Sequence, residues 1–495
     1  MNAYRKMPFD LEDTGRVAAS IDPEAAAILF GEINDATVEN ELNYMVDIDL
    51  AHLIMMMEAG LIGAEDAIAL IRRISDLLGS GFAALQGVSA SRGTFMLYES
   101  LLIFETGEKV GGMLQAGRSR NDMGATILRL RLRKELAVFA EGLIQLQKSL
   151  LAKALDGLEI TLPAYTHYQA AQPTSLGHYL SGVAGALNRD LQAVFYLFDE
   201  LDTCPLGAGA ICGTSFPIRP ERTAEFLGFR TTNSHSIETI ASRDVILRLL
   251  AALSVIATTI SRLCHDFQLW TTAEFGFFQM PDTMVGISSM MPQKRNVYIL
   301  EHIKGMCSVP LGAFTSAAMA QHFTPFSNSI AVGTESVKPV WGAMNQLTNA
   351  VKLMRLVVRS SEAMQENMSI RLERGQASAT ALAEWAVRRH QLPFRQVHHD
   401  VGRIVREVAS GTDSLIAATR RLYPEWVAEE EPDLSPRAVL AALAYGAGPK
   451  PEISQLEITR LSDETNRLSN SLAEKTAFWR SANEKLHQHA RELVS

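Results

Sequence analysis

The chain has 495 residues, with 46 Lys+Arg against 55 Asp+Glu and a formal net charge of -9. That length is roughly three domains' worth of chain at about 150 residues each. With 47% hydrophobic and 20% charged residues a large core is available and whole-chain disorder is excluded, while mild acidity argues against general nucleic-acid binding. Cys204, Cys212, Cys264 and Cys307 form no CxxC pair, which argues against a zinc ribbon or a disulfide framework. Residues 1–16 hold no apolar region of signal-peptide type. The longest apolar run, Leu249 to Ile260, lies between Arg248 and Arg262 and falls short of the roughly 20 residues of a membrane span. The expectation is a soluble, cytoplasmic protein with neither nucleic acid nor membrane as partner.

In chain order, helical spacing dominates. Leu128, Leu132, Leu136, Phe139, Leu143, Leu146 and Leu150 recur at steps of three and four. A helix over 125–155 is predicted, followed by an ordered break around Pro163 and Pro173. Further helical runs cover 175–201 and 235–270, begin near Asn296, and cover 334–368; strand-like alternation is scarce. Several very long helices with short connections indicate a large bundle, and their excess of apolar faces points to an oligomer. Boundaries fall at the glycine-rich turn Gly111–Gly112 to Gly117 and near 371–375. The predicted domains are 1–116, 117–372 and 373–495. The last carries loops at Gln391–Pro393, Gly411–Thr412 and Pro432–Pro436.

Three segments carry candidate chemistry. GRSRND, residues 117–122, opens a helix. Its free N–H groups with Arg118 and Arg120 form an anion site, although a capped helix start with surface arginines reads equally well. AYTHYQAAQP, residues 164–173, puts His167 in a short polar loop, as a catalytic or a structural histidine. ISSMMPQKRN, residues 287–296, gathers two serines, a lysine and an asparagine with no apolar reason to be together. Lys294 and Asn296 suit a carboxylate, and a serine suits acid, base or nucleophile. PLGAGAICG, residues 205–213, lacks the βαβ context of a dinucleotide loop and reads as a tight turn. No metal motif occurs, and no metal or other cofactor is expected.

Together these segments resemble the fumarase/aspartase superfamily, whose signature is close to GSSxMPxKxN. The argininosuccinate lyase branch is the nearest match, on AGRSRND, YTHYQAAQP, PLGAGAICG, SRDVILRLL, EFGFF and ATALAEWAVRRHQLPFRQVH over about residues 40–410. The resemblance implies an all-α fold of three mostly helical domains and a homotetramer around a twenty-helix core. It implies carbon–nitrogen lyase chemistry, with fumarate plus an amine, or their adduct, as substrate. By motif position Ser288 is the base. Ser119, Arg120, Asn121, Thr166, Ser289, Lys294 and Asn296 clamp carboxylates. His167, paired with Glu301, is the acid or relay for the leaving amine.

The departures gather at the amine half. The signature glycine is Ile287, and the residues after Asn296 are Val297–Tyr298. The LWGGRF of the branch is absent, a histidine of the pattern is Met96, and its serine near the start is Asp49, an added carboxylate for a cationic amine. The AYNKDLQ-like stretch reads TPFSNSIA, residues 324–331. The leading reading is elimination of an amine from an N-substituted aspartate. The alternatives are argininosuccinate lyase itself and a non-catalytic, crystallin-like structural protein.

Overall fold

The computed structural model describes residues 16, 17, 19, 21–90, 92–411 and 414–495. The signal-peptide reading concerns residues 1–16 and one expected loop includes Thr412; residues 1–15 and Thr412 lie outside the described residues.

The fold is 69% helical. Five long helices form the centre: Arg120–Asp156, Leu176–Glu200, Asp244–Trp270, Tyr298–Gln321 and Lys338–Ser360. Their starts have local causes. Ser119 and Asp122 form a capping box, Ser175 caps the second helix, and a proline stands in the first turn of the fifth. The apolar residues of the predicted spacing face inward: Leu128, Leu132, Leu136, Phe139, Leu143, Leu146 and Leu150 are buried in the central cluster.

Two predicted helices are interrupted. The run over 235–270 breaks at Ser242, which is extended and whose hydroxyl donates to the Asp244 carboxylate, so the helix restarts at Asp244. The run over 334–368 splits into a π-helix Ala331–Glu335, the helix Lys338–Ser360 and a helix Gln365–Arg374. Between the last two, Glu362–Ala363 pairs antiparallel with Phe278–Gln279.

The apolar stretch at 249–260 belongs to a longer element than its flanking arginines suggest. Asp244–Trp270 reaches a mean hydropathy of 1.8 over 18 residues, enough by length and composition to cross a membrane. It packs as a bundle helix, with Leu249, Leu250, Leu253, Ile256, Ile260 and Phe267 in the central core.

A second apolar cluster holds Leu42–Leu102 together with Leu206, Phe226 and Phe229. A third, smaller cluster runs from Leu382 to Trp426. The final helix, Pro451–Val494, sends Ile458, Leu461, Leu468 and Leu472 into the central core and Leu486 and Ala490 into the N-terminal cluster. The segment 373–495 thus contributes one small cluster of its own and one helix that straps the other two together.

Candidate active site

The GRSRND segment, residues 117–122, is built on Asp122. Its buried carboxylate accepts N–H groups from Ser119 (2.9 Å), Met123 (3.0 Å), Gly207 (3.0 Å) and Gly209 (2.9 Å). The turn of 205–213 is thereby bolted to the helix start, and burial still raises the Asp122 pKa against those donors. Gly209 has φ +62, and a Cβ there would lie 2.5 Å from the Gly213 oxygen, so only glycine fits. Asn121 donates from Nδ2 to the Ala210 carbonyl (2.8 Å) and accepts at Oδ1 from Asn328 Nδ2 (3.0 Å). The segment 324–331 therefore touches the GRSRND segment through Asn328.

Arg118 and Asp49 do not face the site. Arg118 Nη2 lies 2.6 Å from Asp49 Oδ1, with both side chains at most 1% exposed. Burial raises the Asp49 pKa, with Arg118 opposing it. His52 Nε2 lies 2.9 Å from the Ala116 carbonyl, and burial, then Arg118, lowers its pKa well below 6.5. This pair was not legible as one from sequence, and it leaves Asp49 no open face for a substrate amine. Arg120 is exposed.

His167 stands at a hairpin tip rather than in an irregular loop. Thr161–Thr166 and Gln169–Ser175 pair antiparallel, and His167 (φ +52) and Tyr168 (φ +62) make the connection. Two successive positive φ values suit the twist of a two-residue hairpin turn. Thr166, His167 and Glu301 are all exposed. Glu301 lies in the first turn of Tyr298–Gln321.

Ser288 lies in a hairpin closed by Gly286–Ile287 pairing with Arg295–Asn296. Its Oγ receives the backbone N–H groups of Met290 (3.3 Å) and Met291 (3.0 Å). A Cβ on Gly286 would meet the Tyr298 ring at 2.4 Å, so the glycine lets that ring brace the loop. Ser289 and Lys294 are exposed and Asn296 is half-buried. Ile287 is 92% and Met290 87% exposed, apolar groups with nothing over them.

These residues form two groups at opposite ends of the bundle. Asn328 meets Asn121 just beyond the C-terminal end of Tyr298–Gln321, where Gln321 Nε2 also reaches the Arg243 carbonyl at 3.3 Å. Ser288 and Asn296 precede that helix's other end, where Cys264 Sγ meets the Leu300 carbonyl. The His167 hairpin is at this second end too, with Tyr165 packed 5.9 Å from Phe275. The 24-residue helix between the ends is about 36 Å long. Among the described residues no group of three His, Cys, Asp or Glu is placed to hold a metal.

Comparison with known proteins decides the family. The chain is 32% identical over 408 residues to argininosuccinate lyase 1 of Shouchella clausii (strain KSM-K16), covering 82% of each chain. The chain belongs to the argininosuccinate lyase family. It is a carbon–nitrogen lyase of the fumarase/aspartase superfamily, and the crystallin-like alternative is set aside. Argininosuccinate lyase of Methanosarcina acetivorans is 33% identical over 430 residues, covering 85% of this chain and 86% of that one. Residues 72–312 match the family described as lyase, and 376–440 the argininosuccinate lyase C-terminal family. A solved structure of EDDS lyase in complex with formate shares the fold, with a TM-score of 0.83 and 24% identity over 96% of this chain and 99% of that one.

Proposed function

We propose that this lyase reversibly eliminates an amine from an N-substituted aspartate, releasing fumarate, in sites shared between the chains of a homotetramer. The reaction must remove a weakly acidic C–H beside a carboxylate, which puts a second negative charge on that carboxylate. Ser119, Arg120, Asn121, Thr166, Ser289 and Asn296 hold the two carboxylates and supply donors where that charge develops. Ser288 takes the Cβ proton as an alkoxide. The C–N electron pair then leaves with nitrogen, and His167, oriented by Glu301, gives the amine its proton.

The observation that carries the assignment is the pair of N–H groups at 3.0 and 3.3 Å on Ser288 Oγ. Donors aimed at the oxygen favour its charged form, and Lys294 on the same loop adds a cation. The 36 Å scale of the separation between clamp and serine loop supports shared sites, since the two ends of one rigid bundle cannot meet. Exposed Val309, Leu311, Phe314 and Met319 on Tyr298–Gln321 are the surface such sharing would cover. Four free cysteines fit a reducing, cytoplasmic setting.

The departures from the family's motifs gather at the amine half. Segment 324–331, held on Asn121 through Asn328, contains no charged residue, and Asp49 is spent on Arg118. This favours an amine other than arginine. The second reading, argininosuccinate lyase, rests on the 32–33% identity to such enzymes. Fumarate absorbance separates them: argininosuccinate is tried beside a panel of amines with fumarate. Turnover of an amine panel member with inert argininosuccinate supports the first reading. Turnover of argininosuccinate alone supports the second.

A further inference from the structure

One face of the Arg120–Asp156 helix carries Arg120, Met123, Gly124, Ile127, Leu128 and Arg131, and all six line one cavity of about 290 Å³. Positions three and four apart share a helix face, so the stripe runs from one guanidinium to another about 16 Å along the axis, with apolar wall between. Gly124 leaves open space: a Cβ there would meet nothing within 4 Å. Phe95, Val337 and Trp341 close the other sides. Two π-helices, Val38–Leu42 and Ala331–Glu335, supply further lining at Asn40, Glu41 and Gly333; such irregular turns concentrate at functional sites.

The far arginine is half-buried, which lowers its pKa, with Glu135, Tyr44, Glu41 and Glu39 opposing that shift. The Arg131 guanidinium carbon lies 3.6 Å from the Trp341 ring centroid, and its buried Nε has no hydrogen-bond partner. A cation–π contact of this kind holds the guanidinium in place, and a guanidinium fork is the group that receives a carboxylate.

We infer that this cavity is the subsite for the amine, and that it takes an amine with an apolar body ending in a carboxylate bound by Arg131. The inference rests on the proposed reaction for which half of the substrate enters here. Arg120 would hold the aspartate end, and the chain between nitrogen and the distal carboxylate would lie along Met123, Ile127 and Leu128.

The test is calorimetric titration of the full protein with linear dicarboxylates from succinate to sebacate, each beside the monocarboxylate of equal length. A long dicarboxylate should bind at least about 10-fold more tightly than its monocarboxylate partner. Arg131→Gln should erase that advantage and Arg131→Lys should restore part of it. Equal affinity for the two series in the wild type, or an advantage that survives Arg131→Gln, overturns the inference. The wild-type comparison stands by itself if a variant does not fold. Arg131-dependent dicarboxylate binding in a protein that releases no fumarate from any adduct would keep the cavity and sink the reaction.

Discussion

At the residue scale, Ser288 is distinguished by two N–H donors and by nothing that ties it to the core. Ser288→Ala should therefore fold normally and lower kcat by several orders of magnitude with little change in KM, because the lost group acts only on the reacting C–H. Steady-state kinetics with fumarate absorbance reads this, and activity within a few-fold of wild type would refute the role. Thiol chemistry makes a second expectation. Burial pushes Cys204, Cys264 and Cys307 up to about 12, so at pH 8 about one in ten thousand of each is thiolate. Native protein should react with a thiol reagent at exposed Cys212 alone, and unfolded protein at all four. The serine loop was legible because its residues are contiguous. Asp49 was not, because its partner lies in another segment and only folding reveals that the charge is already matched.

At the element scale, the start of the long helix is a junction of three segments. Asp122→Ala would leave the N–H groups of Ser119, Gly207 and Gly209 without their acceptor and should cost about 3 kcal/mol, read as a lowered denaturation midpoint, together with a raised KM as the clamp loosens. An unchanged midpoint would mean the turn at 205–213 holds without it. His52 sets a pH dependence nearby. Its folded pKa lies well below 6.5, so the unfolded chain takes up the proton first as pH falls. Its contribution is present above about 6.5 and lost below. Thermal melts between pH 7.5 and 5.5 should show a shallower loss in His52→Gln than in the wild type. The helices themselves were readable from leucine spacing. The breaks at Ser242 and around Ala331–Glu335 were not, because one extended residue and a π-turn leave no mark on apolar periodicity. The His167 hairpin escaped because its two prolines read as a break, while its register depends on pairing between strands.

At the scale of the whole molecule, the bundle was foreseeable from helix length, but the opposition of clamp and serine loop needed the connections between helices. The final helix, Pro451–Val494, joins the central and N-terminal clusters. The central claim is that one catalytic site needs Arg120 from one chain and Ser288 from another. Its most direct measurement is a mixed refolding of two inactive variants, Arg120→Ala and Ser288→Ala, with hybrids verified by native mass spectrometry and fumarate release followed by absorbance. Random mixing in a symmetric assembly should leave about a quarter of the sites with both residues intact, and activity should return to that fraction of wild type. A mixture that contains hybrids yet stays as inactive as its parents, or an active monomer, would contradict the account.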